Sequence, residues 1–460
     1  MVGGAVRDAL LGRATHDWDV ATAAHPEVVL RLFPRGRPQG DFGTVIIDDV
    51  QVTTFRRDHR YADHRRPDQV TFTDDLDEDL ARRDFTVNAI AWGRGPRSAT
   101  VQGERYGQER EQGLGQGQGR ERERGRERAA RSGERELEPV GGFRDPMAGL
   151  DDLDAEVLRA VGDPDRRFEE DALRLLRAAR FAATLGFTIE PATLAAMGRH
   201  ADDAAWLSGE RIGAELCRMV VAARPSIALR ILMDTGVLGV VLPELALQRG
   251  VPQSKVPGRD LWDHTLGALD ATASLAPGDQ RLALAALLHD VGKPSTFADG
   301  HFMGHAEVGA AMAEAMLHRL RHPGREVERI GHLIREHMFH YERAWSDAAV
   351  RRFLKRVGQD DVDDLLRLRQ ADSLGSGLAA DAGELAELRE RLAHQRAAGV
   401  PLTLAELAVD GNDLQRELGR VPGPWLGELL QRLLDSVVND PTRNTRARLL
   451  TDAREWLATV

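Results

Sequence analysis

The chain has 460 residues, a formal net charge of −11 at pH 7, and a single cysteine, Cys217. This length predicts two to four domains with sizeable cores, and one cysteine excludes both a disulfide framework and a cysteine-rich zinc site, so we expect a cytoplasmic protein. No apolar run is long enough to span a bilayer and no signal-peptide pattern is present, so no membrane partner is expected.

The first motif, between residues 3 and 12, predicts a phosphate-binding turn and a short helix. Gly3 and Gly4 leave room for a phosphate to approach the backbone closely. The following AVRDALLG predicts a helix that ends at Gly12. Its free N–H groups and Arg7 would face the same space.

Asp17 and Asp19 alternate with Trp18 and Val20 at the spacing of a strand. That spacing puts both carboxylates on one face and predicts that Trp18 and Val20 point into a core. Two close carboxylates repel each other unless a cation lies between them, and Mg²⁺ is held by one or two carboxylates plus substrate phosphates. The pattern therefore predicts a site for a metal-bound nucleoside triphosphate. Two solvated aspartates on an edge strand are the alternative for this motif by itself.

GGAVRDALLGR followed closely by DWDVAT resembles the opening motif of the class II tRNA nucleotidyltransferase and poly(A) polymerase family. The resemblance covers nearly all of the chain apart from residues 94–139, which are almost entirely Arg, Glu, Gln and Gly and are expected to be a disordered insertion. Family members usually have a strand leading into the glycine pair. We expect either that the start at Met1 was assigned too late or that the sheet lacks this strand.

The resemblance implies an α+β fold, with a small mixed-sheet nucleotidyltransferase head followed by mostly α-helical domains. The expected parts are a head domain at 1–149, a helical neck that binds nucleotide and RNA at 150–248, an HD domain at 257–378, and a C-terminal helical tRNA-contacting segment at 400–460.

Residues 43–56 predict a β-hairpin with TVII and VQVTTF as strands and Asp48 and Asp49 in the turn. In the family the second strand carries a third metal-binding carboxylate. Here that position is Gln51, whose amide brings no negative charge to a metal. The next stretch, at 57–66, corresponds to a family loop implicated in adding the terminal adenosine, and its presence argues against an enzyme that adds only CC.

Two later motifs are implied by the resemblance to bind the nucleotide. In LARRDFTVNAIAW, Arg83 and Asp84 would shape the pocket and Asn88 would contact the ribose. Residues 169–187 predict one helix ended by Gly186, in which charged residues recur every three positions. In the family's E-D-x-x-R motif the aspartate and first arginine hydrogen-bond the base edges and the later arginines hold the triphosphate. These positions are Asp171, Arg174, Arg177 and Arg180. An exposed helix with i, i+3 ion pairs is the alternative.

A second set of ligands resembles the HD phosphohydrolase superfamily, which implies a divalent transition metal. The H…HD…D order is supplied by His264, His289, Asp290 and Asp372. Lys293 fits the same motif, and His305 and His337 would complete a second metal position. A metal there would acidify a bound water for phosphoester cleavage. A degenerate HD domain kept as a scaffold is the alternative.

Near the C-terminus, Arg443, Arg446 and Arg448 form a small basic cluster that predicts contact with the tRNA backbone. Aromatic residues are only 5% of the chain, so base stacking on a protein platform is not predicted.

The resemblance as a whole implies template-independent addition of C, C and A from CTP and ATP to the 3′ end of tRNA by two-metal nucleotidyl transfer, with Asp17 and Asp19 holding Mg²⁺. Poly(A) polymerase and A-adding enzymes of the family share these motifs. An alternative of another class is an HD-type metal-dependent phosphohydrolase with a degenerate transferase head, which Gln51 favours. A nucleotide-sensing or RNA-binding protein with neither activity is a third.

Overall fold

The computed structural model describes residues 1–15, 18–40, 42–59, 69–93, 142–253, 258–377 and 382–457. The chain forms two compact units, one of Met1–Leu207 with Asp234–Val240 and one of Ser208–Met233 with Val241–Val460. Within the described ranges no helix combines the length and the apolar composition that crossing a bilayer requires.

The first unit contains the small mixed sheet that the family resemblance implies. Its strands are β1 (Trp18–Thr22), β2 (Arg37–Gln39), β3 (Thr44–Ile47) and β4 (Val50–Thr54), in the order β1-β4-β3-β2. β1 runs parallel to β4, whereas β3 is antiparallel to both of its neighbours, β4 and β2. The β3–β4 hairpin is confirmed, and Asp48 has the positive φ of 51° that a tight turn requires.

The expectation that Trp18 points into a core is wrong, because its side chain is 40% exposed. Trp18 is the first residue of β1, and in the described residues β1 has a strand neighbour on one side only. Strand alternation sets the face on which a side chain lies, but only neighbouring elements decide whether that face is covered. Val20 on the same face is half-buried.

Short helices and strand pairs complete this unit. The helices are α1 (Gly4–Leu10), α2 (Pro26–Leu32), α3 (Leu76–Ala81), α4 (Gly149–Asp154), α5 (Pro164–Glu170), α6 (Leu173–Leu185) and α7 (Pro191–Arg199), with 3-10 turns at Thr86–Asn88 and Ala201–Trp206. The paired strands are β5 (Arg56–Asp58) with β6 (Val70–Phe72), β7 (Ala91–Gly93) with β8 (Gly142–Arg144), and β9 (Val157–Leu158) with β10 (Thr188–Ile189).

The single helix predicted over 169–187 is instead divided at Asp171. α5 ends at Glu170, and Asp171 is extended, with φ −149° and ψ 103°. Its Oδ1 accepts a hydrogen bond from Leu173 N at 3.0 Å at the start of α6. A carboxylate that bonds a free N–H at the start of a helix competes with continuation of the preceding helix. Gly186, with φ 81°, ends α6 as predicted.

The second unit is helical apart from one short strand pair, β11 (Phe297–Ala298) with β12 (His301–Phe302). The helices around the predicted HD ligands are α12 (Leu261–Leu275), α13 (Gln280–Leu288), α14 (Lys293–Thr296), α15 (His305–Arg319), α16 (Gly324–Glu336), α17 (Asp347–Val357) and α18 (Val362–Gly375). The C-terminal helices are α19 (Ala382–Ala397), α20 (Gly411–Leu418), α21 (Pro424–Asn439) and α22 (Arg446–Leu457). Between residues 208 and 246 the helices are α8 (Gly209–Val220), α9 (Pro225–Asp234), α10 (Val237–Val241) and α11 (Pro243–Ala246), of which α10 lies mostly in the first unit.

Three sequence-based expectations fall on residues outside the described ranges. These are the carboxylate of Asp17, most of the loop at 57–66, and the insertion at 94–139.

Candidate functional site

The glycine pair at the start of α1 is packed tightly against the second nucleotide-binding motif. Gly3 has φ 70°, and a Cβ at that position would lie 2.5 Å from Arg83 Nη1. The Arg83 side chain also donates to the Asn88 carbonyl at 3.3 Å. Burial and the neighbouring Arg82 lower the pKa of Arg83, although Asp79 and Asp19 oppose that shift. The positive φ therefore favours glycine at this position, and a side chain here would displace the Arg83 guanidinium.

Asp84 links three of the predicted nucleotide-binding residues. Asn88 Nδ2 donates to Asp84 Oδ1 at 3.0 Å, and Arg177 Nε donates to Asp84 Oδ2 at 2.8 Å. The Asn88 side-chain oxygen accepts a hydrogen bond from Arg7. Burial opposes the charged form of Asp84, but Arg177 and Asn88 outweigh it and hold the pKa of this carboxyl well below its ordinary value. The carboxylate therefore stays ionised and fixes Arg177.

The two arginines predicted to hold the triphosphate lie together with Arg7 around one aromatic ring. The guanidinium carbons of Arg7, Arg177 and Arg180 are 5.1, 5.3 and 4.2 Å from the centroid of the Phe181 ring. We call these three residues the arginine cluster. Phe181 was not predicted as a site residue, and its only signal in the sequence is its position directly after the last predicted arginine.

The residues predicted to select the base lie at the junction of α5 and α6. Arg174 is only 8% exposed, and its guanidinium donates to the carbonyls of Arg167 and Arg82 and to Glu170 Oε2, at 2.8, 3.2 and 2.6 Å. Asp171 accepts the bond from Leu173 N described above. These contacts hold both side chains in defined positions, and their role in base selection stays a prediction.

The sheet places Asp19 directly beside Gln51. They are paired Cα positions on the parallel strands β1 and β4, so their side chains extend from the same face. Gln51 therefore occupies the place where the family resemblance implies a third carboxylate. Asp49 lies in the exposed hairpin turn.

In the second unit, the predicted HD ligands converge in a buried cluster. His264, His289 and Asp372 form one group of potential metal ligands, in which one ligand atom from each residue lies within 4.8 Å of the other two. Asp290, His305 and His337 form a second such group. All six side chains are buried, with exposures of at most 7%.

Asp290 joins the two groups because its two carboxylate oxygens face different histidines. Oδ2 lies 3.3 Å from His264 Nε2 and 3.1 Å from His289 Nε2. Oδ1 lies 3.5 Å from His305 Nε2 and 3.7 Å from His337 Nε2. The Asp290 Oδ1, His305 Nε2 and His337 Nε2 atoms are buried and have no hydrogen-bond partner. Three buried polar atoms without hydrogen-bond partners at one point destabilise the folded state unless a further group is bound there.

The ring orientations of the histidines fit a metal centre. Nδ1 of His289, His305 and His337 lies 2.8, 2.7 and 2.6 Å from the carbonyl three residues earlier in the chain. A carbonyl can only accept, so each Nδ1 carries a proton, and a ring with this single proton presents the lone pair of Nε2 to the cluster, as a metal ligand must. Burial lowers the pKa of His305, which favours this neutral form. Unprotonated nitrogens that face carboxylate oxygens repel them unless a cation lies between.

Two further residues support this cluster. Lys293 is 8% exposed and donates to Asp290 Oδ2 at 2.7 Å. Ser376 Oγ lies 3.2 Å from His264 Nδ1. The sequence motif contains Lys293, but Ser376 gave no signal because its role depends on the packing of α18 against α12.

The three C-terminal arginines are each paired with an aspartate. Arg443 Nη2 lies 2.8 Å from Asp452 Oδ2, and Arg448 Nε lies 3.2 Å from Asp452 Oδ1. Arg446 Nη2 donates to Asp413 at 2.8 Å. Their contact with tRNA stays a prediction.

Comparison with protein families matches three parts of the chain. Residues 1–102 match the poly A polymerase head domain, residues 186–248 match the probable RNA and SrmB-binding site of polymerase A, and residues 261–377 match the HD domain.

Relatives and solved structures extend over nearly the whole chain. The CCA-adding enzyme of Geobacillus kaustophilus is 32% identical over 97% of this chain and 90% of its own. The CC-adding tRNA nucleotidyltransferase of Thermus thermophilus is also 32% identical, over 95% of this chain and 88% of its own. The crystal structure of the Bacillus stearothermophilus CCA-adding enzyme in complex with CTP is 26% identical with a TM-score of 0.64, and covers 100% of this chain and 93% of that one.

A Thermotoga maritima CCA-adding enzyme complexed with tRNA shares the fold at 18% identity and a TM-score of 0.52, over 99% of this chain and 90% of that one. The resemblance found in the motifs is thus confirmed along the chain. This chain belongs to the tRNA nucleotidyltransferase and poly(A) polymerase family, which includes the CCA-adding enzymes.

Proposed function

We propose that this chain adds C, C and A to the 3′ end of tRNA, using CTP and ATP, without a nucleic-acid template and with release of pyrophosphate. One observation carries the proposal beyond family membership. Hydrogen bonds centred on Asp84 join Arg7, Asn88 and Arg177, which come from three separate motifs. A nucleotide pocket needs such convergence, because its triphosphate is bound by cations from several elements at once.

Each part of the first unit has a role in the proposed reaction. The arginine cluster would bind the triphosphate, and Asp171 with Arg174 would select the base. Asp17 and Asp19 would hold Mg²⁺, which supplies charge neutralisation at the α-phosphate and the leaving pyrophosphate. Carboxylate donors suit this hard cation. A cytoplasmic location is part of the same proposal.

The experiment uses tRNA that ends before C, C and A, with labelled CTP and ATP, followed by sequencing of the 3′ ends. Ordered addition of C, C and A supports the proposal. A product that stops after two C residues would assign the chain to the CC-adding type, and a run of A would assign it to the poly(A) type. Asp19→Asn should abolish incorporation, whereas Asp49→Asn in the exposed turn of the β3–β4 hairpin should not change it.

A second function is favoured by the buried polar atoms without hydrogen-bond partners in the group of His264, His289, Asp290, His305, His337 and Asp372, which we call the HD cluster. We propose that His264, His289, Asp290 and Asp372 hold one divalent transition metal, and that Asp290, His305 and His337 hold a second. Metal bound there supplies an acidified water as the nucleophile for phosphoester cleavage. Asp290 would orient both positions through its two oxygens, and Lys293 would hold Asp290 in place.

This second proposal is tested by the metal content of the dialysed protein and by hydrolysis of a cyclic nucleotide in the presence of Mn²⁺, Co²⁺ or Ni²⁺. Two equivalents of metal and hydrolysis that is lost in Asp290→Ala are expected. A wild-type protein that binds no transition metal, or hydrolysis that persists in Asp290→Ala, would contradict it.

A further inference from the structure

Phe181 lies at the centre of the arginine cluster. Its ring is 7% exposed, follows Arg180 directly in α6, and has Arg7 from α1 and Arg177 from one turn earlier in α6 beside it. All three guanidinium carbons lie within 5.3 Å of the ring centroid. That distance is within the range at which the negative face of an aromatic ring attracts a cation.

The cluster brings like charges together before any phosphate is present. Arg7 pairs with Asp8 and Arg177 pairs with Asp84, so each of these two guanidinium groups has one carboxylate partner. Three cations around one point repel each other, so their side chains would tend to point apart. Bringing them back together when an anion binds would cost conformational entropy and weaken binding. The shared ring offsets that repulsion and fixes the direction of each guanidinium.

We propose that Phe181 is a positioning residue for the triphosphate of the incoming nucleotide. Its ring holds Arg7, Arg177 and Arg180 in convergent positions, so that the nucleotide binds an arrangement already formed. Phe181 acts through these arginines and does not touch the substrate. The inference rests on the proposed nucleotidyltransferase function. Because CTP and ATP have the same triphosphate, the affinity for both depends on this ring to the same extent.

The chain contains a matched control for loss of packing. Phe85 is fully buried and packs edge-on against Phe181, with ring centroids 5.8 Å apart and planes at 80°. In the part of the chain that the structure describes, no guanidinium lies over the Phe85 ring. Phe85→Leu therefore removes an aromatic ring from the same core without removing a cation–π contact.

The test measures the Kd of CTP and of ATP by titration calorimetry on the full chain without tRNA. Phe181→Leu should weaken both nucleotides by about fivefold, whereas Phe85→Leu should lower the melting temperature and leave both Kd values within about twofold. In steady-state assays Phe181→Leu should raise KM for both nucleotides and change kcat by less than about twofold.

A second series keeps the shape of the ring and therefore does not depend on how well Phe181→Leu folds. Mono-, di- and trifluorinated phenylalanine at position 181 progressively weaken the negative face of the ring, and Kd should rise with each added fluorine. Kd values that do not change across the series would overturn the proposal, as would loss of affinity for one nucleotide only or an equal loss in Phe85→Leu. A wild-type chain that incorporates no nucleotide would instead overturn the proposed function.

Discussion

Asp84 is the residue on which the proposed nucleotide pocket depends most directly. It is 8% exposed, it accepts hydrogen bonds from Asn88 and Arg177, and its pKa is depressed although burial acts in the other direction. A buried carboxylate without these partners would be costly. Asp84 therefore contributes to folding stability as well as to the position of Arg177.

The depressed pKa of Asp84 predicts a specific pH dependence of stability. Its contribution is complete above the pKa of about 3.9 that an aspartate has in the unfolded chain, and it is lost as the pH falls from there toward the lower pKa of the folded state. Asp84→Asn should lower the free energy of unfolding by roughly 2 kcal/mol at pH 7. This difference from wild type should shrink below about pH 4.

The measurement is urea denaturation of wild type and Asp84→Asn from pH 7 to pH 3. The exposed Asp49→Asn variant is the control and should match wild type at every pH. A gap between wild type and Asp84→Asn that is independent of pH would contradict the ionised state of Asp84.

Gln51 predicts weaker metal binding than a third carboxylate would give. Its Cα is paired with that of Asp19 across β1 and β4. Gln51→Glu should reduce the Mg²⁺ concentration for half-maximal incorporation by about tenfold, since ligand charge tunes the affinity for hard cations. Gln51→Leu, which adds no charge, should not reduce it. Equal Mg²⁺ dependence in wild type and Gln51→Glu would show that this position does not face the metal.

At the scale of elements, the HD cluster depends on the close approach of α12 and α18. A Cβ on Gly375 would lie 2.4 Å from Ala268 N and 2.8 Å from the His264 carbonyl, and a Cβ on Gly267 would lie 3.0 Å from Gly375 Cα. The two backbones therefore touch through a pair of glycines. That contact brings Asp372 of α18, and Ser376 directly after this helix, to His264 of α12.

Gly375→Ala should separate these helices and lower the free energy of unfolding by about 2 kcal/mol, since overpacked cores relax only in part. Metal affinity of the HD cluster should fall with it. Gly427→Ala is the matched control, because Gly427 is exposed in α21 and an added Cβ would meet nothing within 4 Å. This variant should be stabilised by about 0.5–1 kcal/mol through helix propensity. Thermal denaturation and metal titration of both variants check the prediction.

At the scale of the whole molecule, the two candidate centres lie in different compact units. The residues around Asp84 belong to the first unit, and all six HD ligands belong to the second. Among the described residues, the hydrogen bonds given above for one centre involve no residue of the other centre.

The two activities should accordingly be separable by mutation. Asp290→Ala should lose transition-metal binding and hydrolysis, while tRNA end addition stays within about twofold of wild type. Asp19→Asn should lose tRNA end addition, while transition-metal binding and hydrolysis stay within about twofold of wild type. Both variants are assayed for both reactions, with circular dichroism as a check on folding. Loss of both activities in either variant without unfolding would show that the centres are coupled.

The sequence by itself determined the local elements and the order of the motifs. The β3–β4 hairpin, the helix that follows Gly3 and the end of α6 at Gly186 could be predicted because turn chemistry and helix stops act over a few residues. The H…HD…D residues, which extend from His264 to Asp372, were identified by their resemblance to the HD superfamily and not by local spacing. The family resemblance supplied the roles of the remaining site residues, since spacing does not identify a substrate.

Tertiary structure alone decided which side chains meet. Asp84 and Arg177 form an ion pair although they are 93 positions apart. One carboxylate oxygen of Asp290 faces His289 and the other faces His305. The Phe181 ring contacts arginines from two helices. It also decided that Trp18 is exposed and that the predicted helix is divided at Asp171. Local patterns set the direction of a side chain along its own element. Burial and pairing depend on elements that are distant in the chain, and these are known only once the chain has folded.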